Sequence, residues 1–438
     1  MADIRAFRGW RYNLARVGEL SAVVAPPYDV IGPDLEQQLL ARHAENVVRV
    51  ELAKVPTSGT AAAGDERYAR AARCLHDWKL DGTLIEDSEP TINVVHQKFD
   101  VAGHTFTRRG FLARIKLEPF GQGQVFPHEE TMPGPKADRL KLYHATGMNI
   151  SPIFGMYPDS ANEVQETIEH AIRGRTPLEA TDHLGVLSRM WPLSGHEFVS
   201  RVRALVGPRP IFIADGHHRY ETAIHFCEDR RAAGAVRDDE SPANFCLMMC
   251  VSMSDPGLVI LPTHRLVAGL ARLDADKLRQ RLAGEFDITP VGDGPAGCRA
   301  AWEQIESDGD QNVIGLGTVS DGKWLLARLR GTAAMDQLVP QHSPAWRSLG
   351  VSILHELVLD ELLRDEFAAG RGLELRYVHL VDEVQQSVAA RQCDLACLVP
   401  PATMDHVQQI ASTGERMPAK STYFYPKLLT GLVFNPIA

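Results

Sequence analysis

The strongest constraint on this chain comes from residues 209–231, where a short apolar run turns sharply into a polar, helix-forming segment. Ile211, Phe212 and Ile213 read as a buried strand, Asp215 and Gly216 as a tight turn, and Arg219 to Arg230 as a helix with its apolar positions on one face. His217, His218 and Arg219 therefore fall where a strand hands over to a helix. Backbone N–H groups gather at a helix N-terminus, and cationic side chains beside them suit a bound phosphate or carboxylate. Read as structure alone, the stretch is a turn and an N-cap with two surface histidines. A His-His-Arg run leading straight into a helix is more than folding requires.

Upstream, Val23 to Ile31 reads as a strand stopped by Pro26-Pro27, which presents Tyr28 and Asp29 from a rigid loop. Helices are expected at 34–46 and 66–79, the second with a core stripe of Tyr68, Ala71, Ala72, Leu75 and Trp78. Strands at 91–96 and 107–115 should form a hairpin around Ala102-Gly103-His104. A helix near 136–144, a strand at 151–157, a helix at 161–173, a strand near 184–190, a helix at 195–206 and a buried strand at 243–251 follow. This alternation implies an α/β (α+β) fold with a mixed-sheet core. From 272 to 345 the pattern changes to two helices, a Gly-rich break at 292–297 and a hairpin turning at Asp321-Gly322. The expected division is a main domain over 1–271, a smaller accessory module or insertion over 272–345, and a C-terminal segment, 346–438, packing back on the main domain.

Three more stretches concentrate polar groups. His128, Glu129, Thr131, Lys136, Asp138 and Arg139 crowd donors and acceptors of both signs into one short span, and Asn149 stands just ahead of a strand. Pro262-Thr263-His264-Arg265 places a second histidine-arginine pair at a strand end. The run 417–427 holds Lys420, Ser421 and Lys427 among aromatic residues, and is too aromatic for a loose tail.

Composition narrows the function classes. Net charge of −10 argues against an extended nucleic-acid surface while leaving room for a local anion pocket. No apolar run reaches the roughly 18 residues that span a bilayer, and Arg5 is not followed by a signal-like apolar region, so a cytoplasmic protein without membrane contact is expected. The seven cysteines show no zinc-knuckle spacing and read as small buried hydrophobes.

Taken together, Val24-Ala25-Pro26-Pro27-Tyr28-Asp29, Pro127-His128-Glu129-Glu130-Thr131, Asp215-Gly216-His217-His218-Arg219-Tyr220, Leu261-Pro262-Thr263-His264-Arg265 and the 417–427 block closely resemble the family called domain of unknown function 1015, across almost the whole chain. The Asp215–Arg219 corner also resembles, over fewer residues, the Gly-x-x-Arg corner of the ParB/sulfiredoxin-like superfamily. That resemblance implies an elaborated ParB/sulfiredoxin-like fold and matches Gly216 and Arg219 to a glycine and a phosphate-handling arginine. His217 and His218 look like the version found in a free-serine kinase. A sulfiredoxin-like protein would carry a cysteine where this chain has His217.

The expected activity is nucleotide-dependent phosphotransfer to a small hydroxylated metabolite, using ATP or ADP with Mg²⁺. Asp215, His218 and Glu129 are the candidate catalytic residues. Gly216, His217, Arg219, His128, Arg139, Asn149, His264, Arg265, Lys420 and Ser421 are the candidate ligand-binding residues, and the separated blocks are expected to line one pocket. No Gly-x-x-x-x-Gly-Lys loop is present, which argues against an ordinary P-loop enzyme. Two alternatives remain: a non-catalytic sensor of a nucleotide or phosphorylated metabolite, and a metal-dependent hydrolase built on His217, Glu221 and His225. Those three share a helix face only if the helix begins by residue 217, so zinc is disfavoured and no metal ligands are assigned. Oligomeric state is not fixed by the sequence.

Overall fold

The alternation of strands and helices resolves into two large sheets, each with its own core, and three two-stranded ones. The computed structural model describes residues 2–53, 63–129, 133–270, 273–368 and 372–438. Met1–Pro127, Thr131–Val259 and Pro426–Ala438 form one compact unit, and His128–Glu130 with Ile260–Tyr425 form the other. The 272–345 segment lies wholly inside the second unit.

In the first unit a mixed sheet runs in the order Val125–Phe126, Ile211–Asp215, Ile153–Tyr157, Phe245–Ser252, His104–Lys116, Ile92–Val101, Leu187–Leu193 and Leu178–Thr181, with Ile4–Arg5 added along His104–Lys116. Ile211–Asp215 pairs parallel to Val125–Phe126 and antiparallel to Ile153–Tyr157. The long hairpin turns on Ala102 and Gly103, whose φ values of 49° and 78° give the two left-handed residues that a tight hairpin needs to follow the strand twist. Alternation along the strands sends Ile92, Val94, Phe111, Ala113, Ile115, Ile211 and Ile213 to one face. There they pack against Val164 and Ile168 of the helix Glu163–Ile172, Val202 and Val206 of His196–Val206, and Tyr220 and Phe226 of His217–Ala232.

The second unit is built on a six-stranded sheet in the order Phe286–Asp293, Lys323–Leu329, Val313–Thr318, Leu395–Leu398, His264–Ala268 and Glu374–Val378. Its pairings are antiparallel throughout. Strands from within 272–345 are thus completed by strands outside that range.

Several elements differ from the sequence expectation for local reasons. Helix His217–Ala232 starts two residues early, because Gly216 takes a left-handed φ of 88° and turns the chain within one residue. The strand expected at Val23 contracts to a 3₁₀ turn, Leu20–Ala22, and a single bridge from Ala25 to Thr430. The Gly-rich break is the end of the strand Phe286–Asp293, and the following helix, Gly294–Asp308, begins at once with Pro295 in its first turn. Met404–Ser412 is a further helix, capped by the Thr403 hydroxyl accepting from His406 N–H. Among the described residues no helix is long and apolar enough to cross a membrane. Thr131 lies outside the described residues.

Candidate functional site

Asp215 ends its strand immediately before the αL glycine that starts the next helix, so its carboxylate stands at the positive end of that helix. Arg219, one helical turn on, donates from Nη2 to Asp215 Oδ2 at 2.7 Å, and Lys427 Nζ donates to Asp215 Oδ1 at 2.6 Å. Burial alone would raise the Asp215 pKa, but Lys427 and Arg219 outweigh it and hold the carboxylate well below its ordinary range. Arg219 is itself buried, donates from Nη1 to the Pro152 carbonyl, and is kept above its ordinary pKa by Asp215 and Asp29 against the effect of burial. A Cβ added at Gly216 would stand 2.9 Å from the Arg219 guanidinium, so glycine serves both the turn and the close approach of this side chain. His217 is buried and His218 is partly exposed in the first turn of the helix.

The Pro26-Pro27 loop joins this group. Tyr28 lies in a 3₁₀ turn, and its hydroxyl is pushed up to about 12, first by burial and then by Asp29, against the pull of Arg219 and Arg139. The Arg139 guanidinium stacks on the Tyr28 ring at 4.3 Å and donates to the Glu51 carbonyl at 3.0 Å and to Asp138 Oδ2 at 2.8 Å. Glu51 in turn accepts from the Ser151 hydroxyl at 3.1 Å. Arg108 is wholly buried under the same corner. It donates to Gln97 Oε1 at 2.6 Å and to the Pro426 carbonyl at 2.5 Å, stacks on Phe154 at 4.6 Å, and is pushed down to about 9 by burial.

The remaining candidates gather in the second unit. His128 is fully buried, with Nε2 2.8 Å from the Thr422 hydroxyl and its carbonyl accepting from Met417 N–H at 2.7 Å. Glu129 Oε1 accepts from Lys420 N–H at 2.6 Å, which fixes Lys420 in a left-handed conformation, φ 59°. Arg265 donates from Nη2 to the Lys420 carbonyl at 2.9 Å, from Nε to His355 Nε2 at 3.1 Å, and from Nη1 to the Thr263 carbonyl. Ser421 donates to the Pro418 carbonyl. His264 is buried with its ring edge-on to Trp302.

The candidates thus fall into two groups. Asp215, Gly216, His217, His218, Arg219 and Arg139 belong to the first unit, and His128, Glu129, His264, Arg265, Lys420 and Ser421 to the second. Asn149 serves the first unit's scaffold: its Oδ1 accepts from Leu247 N–H and from Asn435 Nδ2, both at 2.9 Å. Although the helix begins at His217, Glu221 is paired with Lys136 at 2.7 Å and His225 is exposed. Among the described residues no group of three His, Cys, Asp or Glu side chains is placed to hold a metal ion. Lys427 and Arg108 were absent from the sequence-based site. Lys427 closes the aromatic 417–427 block, but nothing in the sequence pairs it with Asp215, and Arg108 looks like any strand arginine.

A protein-family model described as "Protein of unknown function (DUF1015)" matches residues 4–352. The chain belongs to this family. The match takes in Asp215–Arg219, His128 and His264–Arg265 and stops short of Lys420, Ser421 and Lys427. A comparison with curated proteins finds no match. Among solved structures, a conserved hypothetical protein from Pyrococcus furiosus is 14% identical with a TM-score of 0.33, over 69% of this chain and 90% of that one. A free serine kinase in complex with AMP is 12% identical with a TM-score of 0.34, over 70% and 88% of the two chains. SbnI with a C-terminal truncation, from Staphylococcus aureus, is 10% identical with a TM-score of 0.33, over 74% and 87%. Likenesses of this size leave the function of this DUF1015 member to be argued from its own residues.

Proposed function

We propose that the protein is a nucleotide-dependent phosphotransferase acting on a small hydroxylated metabolite, with the Asp215–Arg219 corner as its reacting end. The observation that carries this reading is the Asp215 carboxylate, held ionised between Lys427 and Arg219 at a helix N-terminus. Phosphoryl transfer asks little covalent chemistry of a protein and much fixed charge around the phosphoryl oxygens. Lys427, the first-turn N–H groups and His218 supply that charge and hydrogen bonding. Both terminal nitrogens of Arg219 are committed to Asp215 and Pro152, so Arg219 acts by holding Asp215. A nucleotide-bound Mg²⁺ draws most of its ligands from phosphates and water, and Asp215 would join them by exchanging its contact to Lys427. A carboxylate held this far below neutral pH is a poor proton acceptor. His218 is therefore the residue assigned to hydrogen-bond the transferring group.

The saturation of both Asp215 oxygens favours one second reading, a sensor that binds nucleotide without turnover. Incubating the purified protein with ATP or ADP, Mg²⁺ and a panel of hydroxylated metabolites that includes free serine separates the two, with phosphorylated product followed and bound metal assayed in parallel. Product that is lost in His218→Ala and in Lys427→Met, with both variants folded, supports the transferase. Nucleotide binding without product supports the sensor. Stoichiometric zinc with no nucleotide dependence would overturn both.

A further inference from the structure

A cleft of about 1360 Å³ opens on the first unit beside the helices Glu163–Ile172 and His196–Val206, and none of the candidate residues assigned above lines it. We propose that it is a second ligand site, taking a small phosphorylated molecule that also carries hydroxyl or amino donors. Arg173, Arg175 and Arg201 line it, all three are exposed, and none makes an ion pair among the described residues. In a chain with 56 acidic and 46 basic residues, three arginines without acidic partners around one concavity are not a requirement of the fold. Guanidinium groups so placed match the oxygens of a phosphate.

Two further features of the wall suit such a ligand. The helix His196–Val206 opens onto the cleft at Gly195, which offers no side-chain cap to its first-turn N–H groups. The acids in the wall, Glu166, Glu169 and Glu197, add acceptors beside the arginines, and Glu169 is already drawn to His96 at 3.2 Å. Cations together with acceptors fit a phosphate ester bearing hydroxyl or amino groups better than a simple polyanion.

The cleft shares no lining residue with the corner. Arg108 and Arg109 are adjacent on one strand, so their side chains leave opposite faces of the sheet. Arg108 lies with Phe154 and Pro426 beneath the corner, and Arg109 lines the cleft, anchored to Asp255 at 2.9 Å.

The test is calorimetric titration of the full chain with inorganic pyrophosphate and with glucose 6-phosphate, in a His218→Ala background that weakens the corner. Both probes should still bind, the sugar phosphate more tightly. Adding Arg173→Gln and Arg201→Gln, both at exposed positions that leave the fold intact by circular dichroism, should weaken binding at least about tenfold. Glu166→Gln, at an exposed acceptor of the wall, should weaken glucose 6-phosphate more than pyrophosphate. Absence of binding in the His218→Ala background, or unchanged affinity in the arginine variants, would overturn the proposal.

Discussion

His218-Arg219 and His264-Arg265 look alike in the sequence, each a histidine and an arginine at a strand end, yet the molecule uses them in opposite ways. Arg219 meets a carboxylate, is raised above its ordinary pKa, and has a partly exposed histidine beside it in the first turn of a helix. Arg265 donates to the Thr263 and Lys420 carbonyls and to His355, and burial pushes it down to about 10. His264 is fully buried and, through burial and the nearby Arg265, is pushed down to about 3. The first pair keeps charge at a helix end. The second is a buried lock for the 417–421 turn. A His-Arg pair has no meaning by itself; the groups it faces decide whether it can do chemistry.

The largest effect should come from cutting the ionic centre of the first pair. Asp215→Asn leaves Arg219 and Lys427 buried without their counter-charge, and should destabilise the first unit by about 3–5 kcal/mol in urea unfolding. A loss below about 1 kcal/mol would mean that the corner is solvated and unlike the description above.

The next effect separates the pairs by pH. His264 and His355 both stay neutral in the fold, with pKa values near 3, so the folded state binds fewer protons than the unfolded one below the ordinary histidine value of about 6.5. Their contribution is complete above that value and is lost as pH falls toward 3, by up to about 1.4 kcal/mol per pH unit for each histidine. Asp215 has a depressed pKa of the carboxylate kind, so its contribution holds until pH falls below about 4. Unfolding compared at pH 7 and pH 5 should therefore show the second unit weakening first. His264→Asn should flatten that dependence, and an unchanged pH profile in this variant would remove the buried-lock reading.

A smaller effect tests the corner's geometry. Gly216→Ala forces an L-residue to φ 88° and brings its Cβ against the Arg219 guanidinium, so a loss of about 1–2 kcal/mol is expected in thermal unfolding.

Much of the fold could be read from local pattern, because strands with one buried face alternate visibly and the Ala102-Gly103 turn announces its hairpin. The strand Phe286–Asp293 could not be, since Pro290 and Gly292 interrupt it; both are tolerated because it is an edge strand with a register shift between those residues. The corner itself was legible as a strand-turn-helix. Its ionic partner was not: Lys427 reaches Asp215 across 212 positions, and a long-range pair leaves no periodic trace. Arg219 illustrates the same limit, because the Pro152 carbonyl that occupies its second arm is invisible in sequence.

The most direct test of the contrast is calorimetric binding of Mg²⁺-ADP to the parent chain, His218→Ala and His264→Asn at pH 7.5. The parent should bind. His218→Ala should weaken binding at least about tenfold while unfolding within about 1 kcal/mol of the parent, and His264→Asn should keep the parent's affinity within about twofold. A parent that does not bind, or a His218→Ala variant that binds like the parent while His264→Asn does not, would contradict the assignment of chemistry to the corner and of structure to the buried pair.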